Sequence, residues 1–448
     1  MCVNPQKIKI NPNKLSSSSQ RILFRFWQLG VLVSTFSCHA TEHSIAQPLT
    51  AWKQDRFAIS FWVDPIVPPN RFDAEYRRVA EANFTVLLGG FGAKHRSTVT
   101  LQIAAAKKND LKAVPNICNG ACANISGAWG FQIADEPSVN QFESIAKLVA
   151  DAKALGQMAF VNLLPNYASP KALGALSYED YLAQYMETVK PNILSVDHYP
   201  DFDDHTHATN KTKKGYILNL LSLRQKSLSV EPNIPFWNFF NAMPYNQASQ
   251  YDVSEGELRW QVYTSLAIGS KGVMYFCYWT PPGEDFLRGQ AIMTPTPGNP
   301  ANIEDQSPGN KYPIVQRINS KLRLFGEFLL LKVSSAVVQT QGSGTTFFEQ
   351  LPWTSINGSA TGPRSAFLLG CYDDNKTILL VNQDSNHPAL ATVGMPEGDG
   401  GNRMMELDSN SGRLVPPRDD SPFLPGYQIA LLPGDGRIFT WVDSGSVQ

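Results

Sequence analysis

The chain has 448 residues, 43% of them hydrophobic and 17% charged, with a formal net charge of -1. That length fits one barrel-sized domain and a smaller partner. The near-neutral balance excludes the broad field that draws a protein to nucleic acid or an anionic membrane, so a neutral ligand is the better fit.

Residues 1–40 differ from the rest. They carry Lys7, Lys9, Lys14, Arg21 and Arg25 with no acid before Glu42, followed by an apolar run over 29–36. This is the pattern of an export signal, with small Cys38 and Ala40 at the cleavage position, and it predicts a secreted or periplasmic protein with no membrane span after processing. Cys118 and Cys122 are close enough in sequence for a disulfide or for two free thiols, and Asn83, Asn124, Asn210, Asn357 and Asn375 open glycosylation sequons.

From residue 57 short apolar runs alternate with longer amphipathic ones, as in β/α units. Strands are predicted at 57–64, 84–90, 112–117, 129–136, 157–163, 192–199, 234–241 and 272–279. Helices are predicted at 72–81, 99–109, 141–155, 178–189, 214–229, 255–268 and 315–330. Eight strands with intervening helices predict an α/β fold of the (β/α)8 TIM-barrel class over 41–332, with the third helix reduced to a loop. The alternative, an open doubly wound sheet, lacks a Gly-x-Gly-x-x-Gly after its first strand, and no cofactor is predicted. Beyond residue 332 the pattern changes to strands at 366–372, 378–381, 429–432 and 438–441, which predicts a C-terminal all-β sandwich over 333–448.

In such a barrel the carboxyl ends of the strands converge on one face. Asp64 ends the first strand and Asp135 and Glu136 the fourth. Asn162 and Asn166 follow the fifth, and Asp197, His198 and Tyr199 end the sixth. Asn238 and Asn241 lie on the seventh, and Tyr278 and Trp279 close the eighth. Carboxylates move protons or attack a sugar carbon, amides bind hydroxyls, and aromatic faces stack on pyranose rings, so the collection points to a carbohydrate substrate. The absence of recurring lysines at these ends counts against Schiff-base chemistry.

Ile-Ala-Asp-Glu-Pro at 133–137, Ser-Val-Asp-His-Tyr-Pro at 195–200 and Tyr-Trp-Thr-Pro at 278–281 resemble strands of clan-A glycoside hydrolases, especially the family 42 type of β-galactosidase-like protein. The resemblance covers about 57–330 and implies that Glu136 is the acid/base. It also implies a nucleophilic Glu at the end of strand seven, where this chain has Asn238 and Asn241 and no carboxylate. Three readings follow. Asp197 is the second carboxylate, as nucleophile or as base. Alternatively, Asp135 and Glu136 serve substrate-assisted cleavage of an N-acetylated sugar, or the barrel binds sugar without cleaving it. Asp64 and Glu284 are reserve carboxylates, and His198 is a candidate to hold Asp197. A metal reading of Asp197, His198, Asp201, Asp203, Asp204, His205 and His207 matches no defensible ligand spacing, and no metal is predicted.

Overall fold

The computed structural model describes residues 51–448, except 90–94, 118–119, 121–123, 203–211, 245–251, 284–285, 287–290, 297–302, 340–344, 347–354, 360–366, 374–375, 395–401, 421–426 and 444–448. The export-signal reading, the Cys118/Cys122 pair, Glu284 and most of the proposed metal ligands therefore fall outside the described residues. The described residues form one compact unit.

Parallel strands alternate with helices through the first part of this unit. In order they are β1 (Ala58–Phe61), α1 (Phe72–Glu81), β2 (Val86–Leu88), α2 (Arg96–Lys108), β3 (Lys112–Val114), β4 (Gly130–Asp135), α3 (Phe142–Ala154) and β5 (Met158–Asn162). There follow α4 (Pro170–Leu173), α5 (Tyr178–Val189), β6 (Leu194–Asp197), α6 (Lys213–Leu228), β7 (Phe236–Asn241), α7 (Glu255–Ile268) and β8 (Gly272–Phe276). A small antiparallel pair, β9 (Met293–Pro295) and β10 (Gln306–Pro308), then precedes α8 (Lys311–Leu329). The helix starts follow from local chemistry: Ser177, Thr212 and Ser254 each accept a bond from a first-turn backbone N–H. Between β3 and β4 no α-helix occurs among the described residues.

Parallel ladders join β2 to β3, β4 to β5, β6 to β7, β7 to β8, and β8 to β1. The remaining neighbours are linked more sparsely: Thr85 N donates to Ile59 O, Trp129 N to Ala113 O and Gln132 N to Pro115 O, and Leu163 bridges Val196. Strand alternation separates two cores. One side of the strands carries Ala58, Leu88, Val114, Phe160, Trp237, Phe239 and Met274 into a cluster of their own. The other side packs on the helices with Phe61, Leu87, Phe131, Val161, Phe240 and Tyr275. Each such buried side chain contributes roughly 1.5–3 kcal/mol.

The rest of the chain forms two antiparallel sheets. The first has the order β11 (Ser334–Gln339), β14 (Phe367–Tyr372), β15 (Thr377–Asn382), β20 (Gly436–Asp443), β17 (Asn402–Leu407), β18 (Leu414–Val415). The second is β12 (Thr345–Thr346), β13 (Ser355–Ser359), β16 (Ala389–Gly394), β19 (Tyr427–Leu431). Phe367, Leu369 and Cys371 of β14 share a core with Val393 and Ile429 of the second sheet. The alternate residues Leu368 and Tyr372 join the helix-side core, so the larger sheet is buried on both faces. No described helix is long and apolar enough to cross a membrane.

Candidate active site

The carboxyl ends of β4, β5 and β6 bring three acids together. Asp135 is the last residue of β4 and pairs in register with Asn162 of β5. Because parallel partners share a face, Asn162 Nδ2 can donate to Asp135 Oδ1, at 3.2 Å. Asn162 Oδ1 in turn accepts from Ser195 Oγ of β6 at 3.0 Å, which ties the three strands together. Two residues beyond Ser195, on the same face, stands Asp197, only 6% exposed.

Glu136 reaches this group through an unusual backbone. Its φ is 46°, in the left-handed region that side chains other than glycine rarely adopt, and its N–H is held by Asn162 O at 2.9 Å. One turn earlier the β4/β5 register shifts between Gln132 and Ala134, a bulge that re-aims the strand end. Strain of this kind costs about 1–3 kcal/mol and persists where the surroundings enforce it, which is typical of functional sites. A second left-handed residue, Val63 at φ 61°, lies just past the end of β1.

The Asp197 and Glu136 side chains lie within hydrogen-bonding reach of each other. Burial first, then the charges of Glu136 and Asp135, push the Asp197 carboxyl well above the usual range. Asp197 therefore keeps its proton to a higher pH than an ordinary carboxyl group. Its Oδ1 has no hydrogen-bond partner among the described residues. Asp135 is pushed up to about 6 by the protein around it and by Glu136, against the opposing bond from Asn162. It is nevertheless open to solvent on one side, which screens part of that effect.

The sign of the Asp135 shift gives a test. Its folded value lies above the unfolded one, so the native state holds the extra proton between about pH 4 and pH 6, and stability falls as pH rises through that window. Asp135→Asn should therefore raise unfolding stability at pH 7 by about 1 kcal/mol, after allowance for its open face, and leave it unchanged near pH 3.5. Urea denaturation at the two pH values measures this, and an equal change at both would contradict it.

Aromatic groups border the acids. Tyr199 lies on the same face as Asp197, with its ring 5.3 Å from Phe276. Trp62, one residue past β1, stands edge-on to Phe239 at 5.7 Å. Neither Trp62 nor Phe276 is singled out by the sequence, although the period-2 series Ala58, Ser60, Trp62 points to the first of them. Asn241, 1% exposed, lies on the Phe239 face, and its Oδ1 accepts from Met243 N at 3.2 Å.

Several residues expected here stand elsewhere. Asp64 is turned by left-handed Val63 to the helix side, where Gln102 Nε2 donates to it at 2.7 Å. His198, next to Asp197 and so on the opposite face, has its Nδ1 against Asn219 Oδ1 at 3.0 Å and its ring against Tyr167 and Tyr216, which replaces the expected contact with Asp197. Asn166 donates to Gly215 O of α6. Asn238 Nδ2 donates to Tyr216 Oη and Ser265 Oγ on α6 and α7. Tyr278 is fully buried, stacked on Phe61 at 4.6 Å, and fully buried Trp279 donates to Ile303 O. Neither presents a face to a sugar. Among the described residues no group of three or more His, Cys, Asp or Glu has the disposition of a metal site.

No family model and no curated protein matches the chain. Among solved structures, a family 39 glycoside hydrolase from the gut symbiont Bacteroides cellulosilyticus WH2 is similar at 12% identity and TM-score 0.39, over 86% of this chain and 81% of that one. A family 5 glycoside hydrolase from Bacteroides vulgatus is similar at 11% and 0.43, over 88% and 91%. A truncated 3-deoxy-D-arabino-heptulosonate 7-phosphate synthase from Thermotoga maritima is similar at 14% and 0.36, over 61% and 88%. A synthase beside two hydrolases shows that likeness at this level identifies neither a family nor a reaction.

Proposed function

We propose that the chain is a glycoside hydrolase on a closed (β/α)8 barrel with a C-terminal β-sandwich, using Glu136 as its acid/base. The observation that carries this reading is the buried Asp197 carboxyl, held well above the usual range, against Glu136 and beside the solvent-open Asp135. Cleaving a glycosidic bond needs a carboxyl group that still holds a proton near neutral pH and a second carboxylate facing the sugar. In this reading Asp197 stores the proton and positions Glu136, while Asp135 is the second carboxylate. That differs from the expectation that Asp197 is the partner. Inverting pairs stand about 6.5–9.5 Å apart to admit a water and retaining pairs about 5–5.5 Å apart, whereas Asp197 is in hydrogen-bonding contact with Glu136.

Tyr199, Trp62 and Phe276 supply surfaces for a sugar ring, and Asn162 and Asn241 supply amides near it. The family 42 resemblance and export through residues 1–40 belong to the same proposal. The amide of Asn241 at the end of β7 favours one rival, a barrel that binds sugar without cleaving it. A panel of neutral aryl glycosides and oligosaccharides, assayed for release of aglycone or reducing ends, separates the two. Turnover supports the hydrolase, and saturable binding without turnover supports the rival. Asp197→Ala, which removes the stored proton, should lower kcat about tenfold or more with KM little changed, and an unchanged kcat would remove Asp197 from the mechanism.

A further inference from the structure

The six basic residues Lys53, Lys153, Lys190, Arg224, Lys271 and Lys332 line a cavity of ≈ 590 Å³ at the other end of the strands. Asn192 on its wall precedes β6, Pro235 and Phe236 open β7, and Lys271 precedes β8. It is therefore separate from the acids at the carboxyl ends. Its volume falls in the range of roughly 300–1,000 Å³ usual for small-molecule sites.

Lys332 is paired with Asp373 at 2.6 Å, and the other five basic residues of this cavity form no ion pair among the described residues. Glu231 is the one acidic residue among its described lining, and it forms no ion pair there. A chain with 38 basic and 39 acidic residues has no overall excess to explain such a concentration. Arg224 Nε and Nη2 donate to Ser334 Oγ and O, both at 2.9 Å, and no carboxylate pairs with the guanidinium among the described residues. The guanidinium plane is thus fixed, with Nη1 left to bond something else. Lys271 Nζ donates only to the carbonyls of Leu329 and Lys332. Burial depresses this ammonium to about 8 against the opposing charge of Asp373, so a further anion in the cavity would stabilise its charged form. Trp52, Met186, Ile234 and Leu330 add apolar wall between these charges.

We propose that this cavity binds a small organic anion with an apolar body, its acidic group bonded to Arg224 and its body against Trp52 and Ile234. The proposal uses none of the residues assigned to glycoside chemistry. It is tested by calorimetric titration of the full-length protein with 8-anilinonaphthalene-1-sulfonate, an anion carrying a flat apolar body. A single saturable site is expected, with uncharged N-phenyl-1-naphthylamine binding about tenfold more weakly or less tightly still. Arg224→Gln should weaken the sulfonate about tenfold. Exposed Lys53→Gln, which disturbs no packing, should weaken it about threefold and decides the matter if the Arg224 variant fails to fold. Equal binding of the charged and uncharged probes, affinity unchanged by the substitutions, or no saturable binding would each overturn the proposal.

Discussion

Glu136→Gln is expected to lower kcat/KM for a glycoside with a poor leaving group by about 10³-fold while leaving the protein folded. The amide fills the same volume and can still meet Asp197, but it has no proton to deliver to the glycosidic oxygen. The loss should shrink for a dinitrophenyl glycoside, whose leaving group departs without protonation. That contrast separates a missing acid from a disturbed site, because disturbance would penalise both substrates alike. A loss of equal size on both substrates would place Glu136 in binding rather than proton transfer.

The second large effect is on stability. Gly370 of β14 lies against α7 so closely that a Cβ there would sit 2.5 Å from Ala267 Cα and overlap its carbonyl oxygen. Both partners are backbone, so neither can swing aside. Gly370→Ala should therefore destabilise the protein by about 3 kcal/mol in urea unfolding, at the upper end of ordinary overpacking. Gly256 of α7 is constrained in the same way by the backbone of Ser385, in the loop after β15. An alanine at 370 with wild-type stability would contradict this close contact between the sheet and α7.

Much of the architecture is legible in the sequence because it rests on local periodicity. The helices at 72–81 and 178–189 begin and end where the amphipathic pattern does, and the helix at 255–268 is bounded by the Ser254/Glu257 capping box and by Gly269. Strands such as β16 and β17 are harder to read. Thr392, Asn402 and Arg403 interrupt their apolar runs, and their order in the sheets depends on distant pairing with β19 and β20. The site divides along the same line. That Asp135 and Glu136 close a strand is visible in 129–137, and alternation alone would have sent His198 away from Asp197. The contact between Glu136 and Asp197 is not visible. It depends on a bulge at Ile133, a left-handed φ at Glu136 and the bonds running from Asp135 through Asn162 to Ser195, none of which has a local signature. Tyr278 and Trp279 mislead for a related reason. The β9/β10 pair packs back over the end of β8, with Trp279 bridging Met293, and buries aromatics that would otherwise border the site.

The central claim is that buried Asp197 holds a proton beside Glu136 and thereby supports hydrolysis. The pH dependence of kcat/KM for wild type and Asp197→Asn, on the best substrate of the panel, tests it most directly. Burial of Asp197, and then the charges of Glu136 and Asp135, hold the Asp197 proton to high pH in the wild type, so the alkaline limb should lie above the ordinary carboxylate range. In Asp197→Asn that carboxyl is gone, and the limb should move toward acid by about one pH unit or more. An alkaline limb that stays in place in the variant would contradict the account.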